Sequence, residues 1–351
     1  MSPNEFSQRV LDWFDAHGRK QLPWQNHPTP YRVWVSEIML QQTQVATVIS
    51  YYQRFMEQCP DLRKLADAEL DTVLRLWAGL GYYARARHLH QTAQILCERY
   101  DGAMPLDLAI LQQLPGIGRS TAGAILALAA GQRQPILDGN VKRLLARFGA
   151  VEGWPGQLRV QATLWEWAER YTPVQRVADY TQAIMDLGAM ICTPRRPHCV
   201  ACPLANGCAA HAQGREMAYP AQKPQRERSV RAIRMLLLRT AEGEVLLERR
   251  PPVGVWGGLW SFPECPLEVD IADWCRERLG LTVVVSPPWS MVRHSFSHFQ
   301  LDITPAPALV TGPISGVMEG ERFVWYNPGH PTDRGVAAPV KRLLATLANE
   351  L

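Results

Sequence analysis

The stretch Cys192-Thr-Pro-Arg-Arg-Pro-His-Cys199-Val-Ala-Cys202-Pro-Leu-Ala-Asn-Gly-Cys208 gathers four of the chain's eight cysteines into seventeen residues, spaced C-x6-C-x2-C-x5-C. Thiolates this close in sequence can close on one metal centre without help from the rest of the fold, and Pro194, Pro197, Pro203 and Gly207 favour turns over helix between them. Four thiolates admit zinc or a 4Fe–4S cluster. Zinc sites usually pair two C-x2-C hooks across a longer loop, whereas a single C-x2-C with wider, unequal flanks suits the larger cubane, so the spacing favours iron–sulfur. The other four, Cys59, Cys97, Cys265 and Cys275, are scattered without pairing rhythm and read as reduced thiols.

Before this loop, residues 6–191 form a succession of helical periods broken by short Gly/Pro punctuation. Helices are expected at about 31–41, 44–58, 69–78, 83–100, 107–113, 120–130, 140–148, 157–171 and 177–191. After it, 213–230 is rich in Pro, Gln, Lys and Arg without apolar rhythm and reads as a linker. Beyond, the period changes. Ile233–Arg239, Glu244–Arg249, Thr282–Val285 and Phe299–Thr304 read as strands, with one helix near 268–279. The expected architecture is a mainly α domain over 1–212, carrying a helix-turn-helix at about 107–131 and the cysteine loop at 192–208, then a separate α/β domain over 231–351.

Charge says little in total, at +4, but residues 1–225 hold 23 Lys and Arg against 19 Asp and Glu, while 226–351 balance at 14 against 14. A modest basic excess on one half is compatible with nucleic acid. An acidic Glu5, no basic-then-apolar leader and no apolar run approaching ~18 residues predict a cytosolic protein without a membrane span.

Three further segments carry chemistry. In Leu114-Pro-Gly-Ile-Gly-Arg-Ser-Thr-Ala-Gly, Gly116 and Gly118 permit positive φ and expose backbone N–H groups where Ser120 and Thr121 begin a helix, a site suited to a phosphate oxygen. The plainer reading is a helix-turn-helix corner. In Gln134-Pro-Ile-Leu-Asp138-Gly-Asn140-Val-Lys-Arg, Asp138 and Asn140 open a helix whose dipole and free N–H groups would keep the carboxylate ionised, although an N-cap alone would look the same. Glu37 shares a helical stripe with Val33, Trp34 and Leu40. A carboxyl in apolar company either reaches water or has a raised pKa, suited to a general acid at neutral pH. One carboxyl held ionised and one held protonated would make an acid and charge-stabiliser pair.

Together these residues resemble the bacterial adenine-specific branch, the MutY family, of the helix-hairpin-helix iron–sulfur DNA glycosylases. The similarity runs end to end through S-E-I-M-L-Q-Q-T (36–43), G-L-G-Y-Y-A-R-A (79–86), L-P-G-I-G-R-S-T-A (114–122), P-I-L-D-G-N-V-K-R (135–143), M-D-L-G-A-M-I-C (185–192) and R-H-S-F-S-H-F (293–299). The resemblance implies one 4Fe–4S cluster on Cys192, Cys199, Cys202 and Cys208, and a hairpin gripping the DNA backbone. It also implies removal of adenine mispaired with 8-oxoguanine or guanine from double-stranded DNA by a monomer, in base excision repair. It makes Glu37 the general acid at adenine N7, Asp138 the group that opposes the sugar cation electrostatically or traps it covalently before water attacks, and Asn140 the residue that orients Asp138 or the water. Gln42 and Tyr82 match residues that wedge into the duplex, and Trp24 one beside the adenine pocket. Relatives that also cut the strand carry lysine where this chain has Ser120, so the resemblance implies a monofunctional enzyme. The C-terminal domain resembles a MutT-like (Nudix) fold, yet Gly257–Glu264 is followed only by Arg276-Glu277-Arg278 instead of an R-E-x-x-E-E run. Nucleotide hydrolysis is not expected, and lesion reading through Phe296, Ser297 and His298 is. Two alternatives stay open here: an endonuclease III-like glycosylase/lyase acting on oxidised pyrimidines, and a non-catalytic iron–sulfur DNA-binding protein.

Overall fold

The computed structural model describes residues 1–224, 228–296, 298–312, 322–330 and 334–349. Its contacts divide the chain into two units, Met1–Asp67 with His88–Gln225, and Ala68–Arg87 with Arg226–Leu351.

The first unit is helical, as expected. Its elements are α1 (Pro3–His17), α2 (Pro30–Leu40), α3 (Val45–Gln58) and α4 (Leu62–Asp67), and, after α5 (Leu70–Trp77) of the second unit, most of α6 (Ala84–Tyr100). There follow α7 (Leu108–Gln113), α8 (Arg119–Ala130), α9 (Gly139–Phe148), α10 (Leu158–Tyr171), α11 (Val177–Met190) and the short α12 (Ala209–Ala212). Local chemistry sets their ends. Ser2, Thr29, Asp107 and Asp138 each accept an N–H of the first turn at α1, α2, α7 and α9. Helix α8 packs against α2 and α11, and α1 against α11 and α10. Phe6 is fully buried there, stacked on Tyr171 at 4.3 Å and edge-on to Phe148 at 4.9 Å. Burying such a ring contributes ~1.5–3 kcal/mol. Helices α1 and α4 have no counterpart among the expected helices.

The second unit centres on β1 (Ser229–Arg239) and β7 (Phe299–Val310), parallel in register from Ser229↔Phe299 to Arg239↔Leu309. Around them pair β2 (Val245–Arg249), β3 (Trp260–Ser261), β4 (Glu264–Cys265), β5 (Val283–Val285), β6 (Val292–Ser295) and β8 (Phe323–Tyr326), all antiparallel to their partners, giving the order β3-β2-β1-β7-β5. Helix α13 (Ile271–Leu279) starts on an Asp270 cap and ends on left-handed Gly280, and its Cys275 and Leu279 join Leu236, Leu238, Leu246 and Leu281 in one core. Helix α14 (Ala338–Asn349) closes the chain. The strands at 260–265, 292–295 and 323–326 and helix α14 add to the elements expected from sequence.

Two boundaries move. Residues 68–87, read as part of the helical domain, pack with the second unit: Trp260 donates its indole N–H to Asp71 at 3.2 Å, and Arg87 donates to the Gly257 carbonyl at 2.5 Å. The first turns of the segment read as a linker are also anchored. Tyr219 is buried, and Arg147 donates to the carbonyls of Glu216 and Tyr219. No helix among the described residues is long and apolar enough to cross a membrane.

Candidate active site

Helix α2 ends in a turn, Gln41–Gln44, and the extended run Pro135–Asp138 leads into α9. These bring Glu37, Gln42, Asp138 and Asn140 into one cleft of about 960 Å³ in the first unit, with Trp24, Ser120, Arg143 and Gln182 also on its walls. Residues a hundred positions apart in sequence thus face one space.

Glu37 stands one turn before the end of α2, beside buried Val33, Trp34, Ile38 and Met39. Burial, and next the charge of Asp138, push its carboxyl up to about 8. It is therefore a proton carrier at neutral pH. Asp138 caps α9: one carboxylate oxygen accepts the Val141 N–H at 2.8 Å and the other faces the Asn140 amide at 3.4 Å. Here the simple helix-dipole expectation needs correcting. Burial raises the Asp138 carboxyl, opposed by the Val141 and Asn140 backbone donors and by the charges of Arg143 and Lys142. Two carboxyls in one cleft resist ionising together. Asp138 has the donors and cations, so it takes the charge and Glu37 keeps the proton.

A bracket unseen in the sequence fixes Asn140. Arg143 donates to Asn140 Oδ1 at 2.9 Å, to the Gly188 carbonyl at 2.6 Å and to the Cys192 carbonyl at 2.7 Å, joining α9, α11 and the cysteine loop. Helix α11 comes this close because residue 188 has no side chain: a Cβ there would meet Asn140 Cβ at 2.8 Å. The other overlooked support is Asp186, fully buried, which accepts from the Arg19 guanidinium at 2.6 Å and 2.9 Å and from Gln182 at 2.8 Å. An acid in the apolar helix 177–190 was the available signal. Ser120 accepts the Leu137 N–H at 3.0 Å, so it lies at the cleft and steadies the run into Asp138.

The hairpin is α7, the turn at 114–118, and α8, which begins at Arg119 with Gly118 as its N-cap, one residue earlier than expected. Gly116 has φ +78, and a Cβ there would meet His88 Cβ at 2.9 Å; Gly118 has φ −87 and open space around it. Positive φ is thus needed at Gly116 alone. Trp24 is buried and edge-on to Tyr52 at 5.4 Å. Gln42 is exposed at φ +57, a left-handed conformation that usually falls to glycine. Tyr82 lies in the second unit, at φ +50 with 48% of its surface exposed. Also in that unit, Phe296 is half-buried and stacked on Phe299 at 4.5 Å, with Trp256 at 5.6 Å, while His298 is exposed. Ser297 lies outside the described residues.

The four cysteines, Cys192, Cys199, Cys202 and Cys208, line one small pocket with Leu144, Phe148 and Ile191. Burial first, then the charge and hydrogen bond of Glu216 and after them the neighbouring thiolates, push Cys199 up to about 11; burial and the neighbouring thiolates, against the Leu204 backbone donor, push Cys202 up to about 12. Crowded thiols of this kind become good ligands once a cation offsets both costs. Cys199 also has His211 and Glu216 close by, the latter two 2.6 Å apart.

These features are those of a base-excision fold. Residues 35–170 match the model of the HhH-GPD superfamily of base excision DNA repair proteins, and 234–346 match a NUDIX domain. A thermostable thymine-DNA glycosylase aligns over 60% of this chain and 97% of its own at 25% identity, TM-score 0.53. An endonuclease III–DNA complex shares the fold at 20% identity, covering 61% and 98%, TM-score 0.52. Over nearly its full length the chain is 37% identical to the adenine DNA glycosylase of Buchnera aphidicola (Acyrthosiphon pisum), covering 97% of this chain and 96% of that one. The human adenine DNA glycosylase is also 37% identical, over 93% of this chain and 71% of its own. The chain belongs to the adenine DNA glycosylase family.

Proposed function

We infer that this chain hydrolyses the N-glycosidic bond of adenine in double-stranded DNA, where adenine stands opposite 8-oxoguanine or guanine, as the first step of base excision repair. A base in a duplex is out of reach, so adenine must be flipped into the cleft at a cost of a few kcal/mol. There Glu37 gives its proton to adenine N7, and the purine leaves neutral. The sugar becomes cation-like, and Asp138 opposes that charge across the cleft until water adds to C1′ and gives up its proton to the Glu37 carboxylate; Asn140, held by Arg143, keeps Asp138 aimed. The observation that carries this reading is the pairing, in one cleft, of a carboxyl raised to about 8 with a second carboxyl that caps a helix. Ser120, where a strand-cutting relative would carry lysine, puts no amine at that position for a Schiff base and argues for a monofunctional enzyme.

The donor set of Cys192, Cys199, Cys202 and Cys208 around one pocket fits a single 4Fe–4S cluster. Bound, the cluster would supply a charge-balancing cross-link that stiffens the loop 192–208. Arg143 ties the Cys192 carbonyl to Asn140, so that stiffness reaches the cleft. Wedging by Gln42 and Tyr82, backbone contact at Gly116 and Gly118, a pocket wall at Trp24 and lesion reading by Phe296, Ser297 and His298 complete the proposal. The enzyme acts as a monomer with the nucleoid of the cytoplasm, where its substrate is. Release of adenine and alkali-labile sites from an A:8-oxoguanine duplex, with none from an oxidised-pyrimidine duplex, is the expected result; the reverse pattern would return the endonuclease III-like reading.

A further inference from the structure

The turn from α5 into α6, Gly79-Leu80-Gly81-Tyr82-Tyr83, holds three left-handed residues, Gly79, Gly81 and Tyr82, at φ +108, +70 and +50. Glycine takes such angles freely, but tyrosine does not, and the Tyr82 ring is also left 48% exposed. One residue thus carries both a strained backbone and uncovered apolar surface. A conformation of that kind persists only where its surroundings fix it.

Arg85, in the first turn of α6, supplies the fixing contacts. Its side chain is buried, and one terminal nitrogen, Nη2, donates to the carbonyls of Leu80 and Gly81, both at 3.1 Å. Its backbone N–H donates to the Tyr82 carbonyl at 2.9 Å, and the Trp77 indole N–H donates to the Gly81 carbonyl at 3.2 Å. The guanidinium carbon lies 5.3 Å from the centroid of the buried Trp77 ring and 5.6 Å from that of Tyr82, so the cation meets both rings. Burial draws its pKa down to about 10, which still leaves it charged at neutral pH. Residues 80, 81 and 82 are therefore tied to one side chain, two by their carbonyls and the third by its ring. We propose that Arg85 is a positioning residue for base flipping: it presets the 79–83 turn so that the Tyr82 ring stands ready to enter the duplex beside the mispaired adenine. A ring fixed before binding gives up little freedom on insertion, and an inserted ring stabilises the gap from which the base has turned out. Arg85 acts through Tyr82 and not on the adenine itself. The inference rests on the wedging reading of Tyr82.

The test is a double-substitution cycle in the full chain. It is read on a duplex with a non-hydrolysable adenosine analogue opposite 8-oxoguanine and a 2-aminopurine beside the analogue, whose fluorescence rises as the stack opens. Tyr82→Leu and Arg85→Met should each slow that rise by on the order of 10-fold, the scale of coupling between side chains in contact, and the double variant should be no slower than Tyr82→Leu alone. Arg85→Lys, which keeps the cation but not the planar fork, should recover part of the loss. Affinity of the Arg85 variants for an undamaged duplex should be unchanged. Losses that multiply in the double variant overturn the inference. So does a normal rise in Arg85→Met, or an equal loss of affinity for undamaged duplex, which would mean a fold defect instead of a misplaced ring. If Arg85→Met does not melt cooperatively, the cycle is run with Arg85→Lys and the same failure to multiply is required. A normal rise in Tyr82→Leu would instead remove the wedging reading, and the role of Arg85 with it.

Discussion

At Glu37 a single titration links fold and chemistry. The acid must carry its proton to act, so single-turnover adenine release should be sustained below the raised pKa of about 8 and fall as pH rises through it. The same shift has a stability consequence of fixed sign. Between the ordinary value of 4.5 and about 8 the folded protein holds a proton that the unfolded chain has lost, so stability declines as pH rises across that window. Glu37→Gln should therefore abolish excision while reducing the drop in melting temperature between about pH 5 and about pH 8. An unaltered drop would mean that Glu37 titrates normally. Asp138→Asn keeps a good N-cap and should fold, yet lose ~10²-fold or more in excision rate. Near-normal release would remove Asp138 from the mechanism. The two carboxyls were legible in sequence because each breaks a local pattern, an acid in an apolar stripe and an acid before a helix. Their meeting was not legible, since it depends on α2 and α9 facing one cleft. The upward pull of burial on Asp138 was hidden for the same reason.

Among the elements, those with capping residues and clean period could be read closely: α7 from Asp107 and α8 to the left-handed Gly131 to within a residue, while α13 ends before Gly280 as expected but starts three residues later than expected, on its Asp270 cap. Helix α1 offered the same signs, a Ser2 cap, Pro3 in the first turn and Phe6, Val10, Leu11 and Phe14 at helical spacing. Strands β3 and β4 are two residues long, too short for any period to register. The Arg143 bracket is a fact of three elements meeting, and no local pattern announces it. It makes a sharp prediction: Gly188→Ala places a methyl 2.8 Å from Asn140 Cβ, forces α9 and α11 apart, and should cost ~1–3 kcal/mol of stability together with adenine release. If excision survives at full rate, the bracket does not position Asn140. In the cysteine loop, the protein as isolated should be brown with about four irons per chain, and Cys202→Ala should lose iron and weaken DNA binding. Zinc without iron in anaerobically prepared protein would contradict the cluster.

For the whole molecule, the change of period after residue 230 announced a second unit, but the capture of 68–87 by it could not be read. Locally that segment is one more helix, α5, with the loop and first turn that follow it, and its partners Gly257 and Trp260 lie some 170–189 residues away. Removing residues 226–351 should therefore speed amide hydrogen exchange in 68–87 and leave α8 and α9 protected; unchanged exchange in 68–87 would mean that it is held by other contacts. The same truncation, or Phe296→Ala, should narrow the gap between A:8-oxoguanine and A:G substrates, because the Phe296 ring would no longer be offered to the base opposite adenine. The central claim is that two carboxyls in one cleft remove adenine from a mispaired duplex. Its most direct test is single-turnover cleavage at alkali-labile sites on an A:8-oxoguanine duplex, comparing the unsubstituted chain with Glu37→Gln and Asp138→Asn at matched DNA occupancy. The account predicts complete cleavage by the first and none by either variant; cleavage persisting in a variant, or absent from the unsubstituted chain, would contradict it.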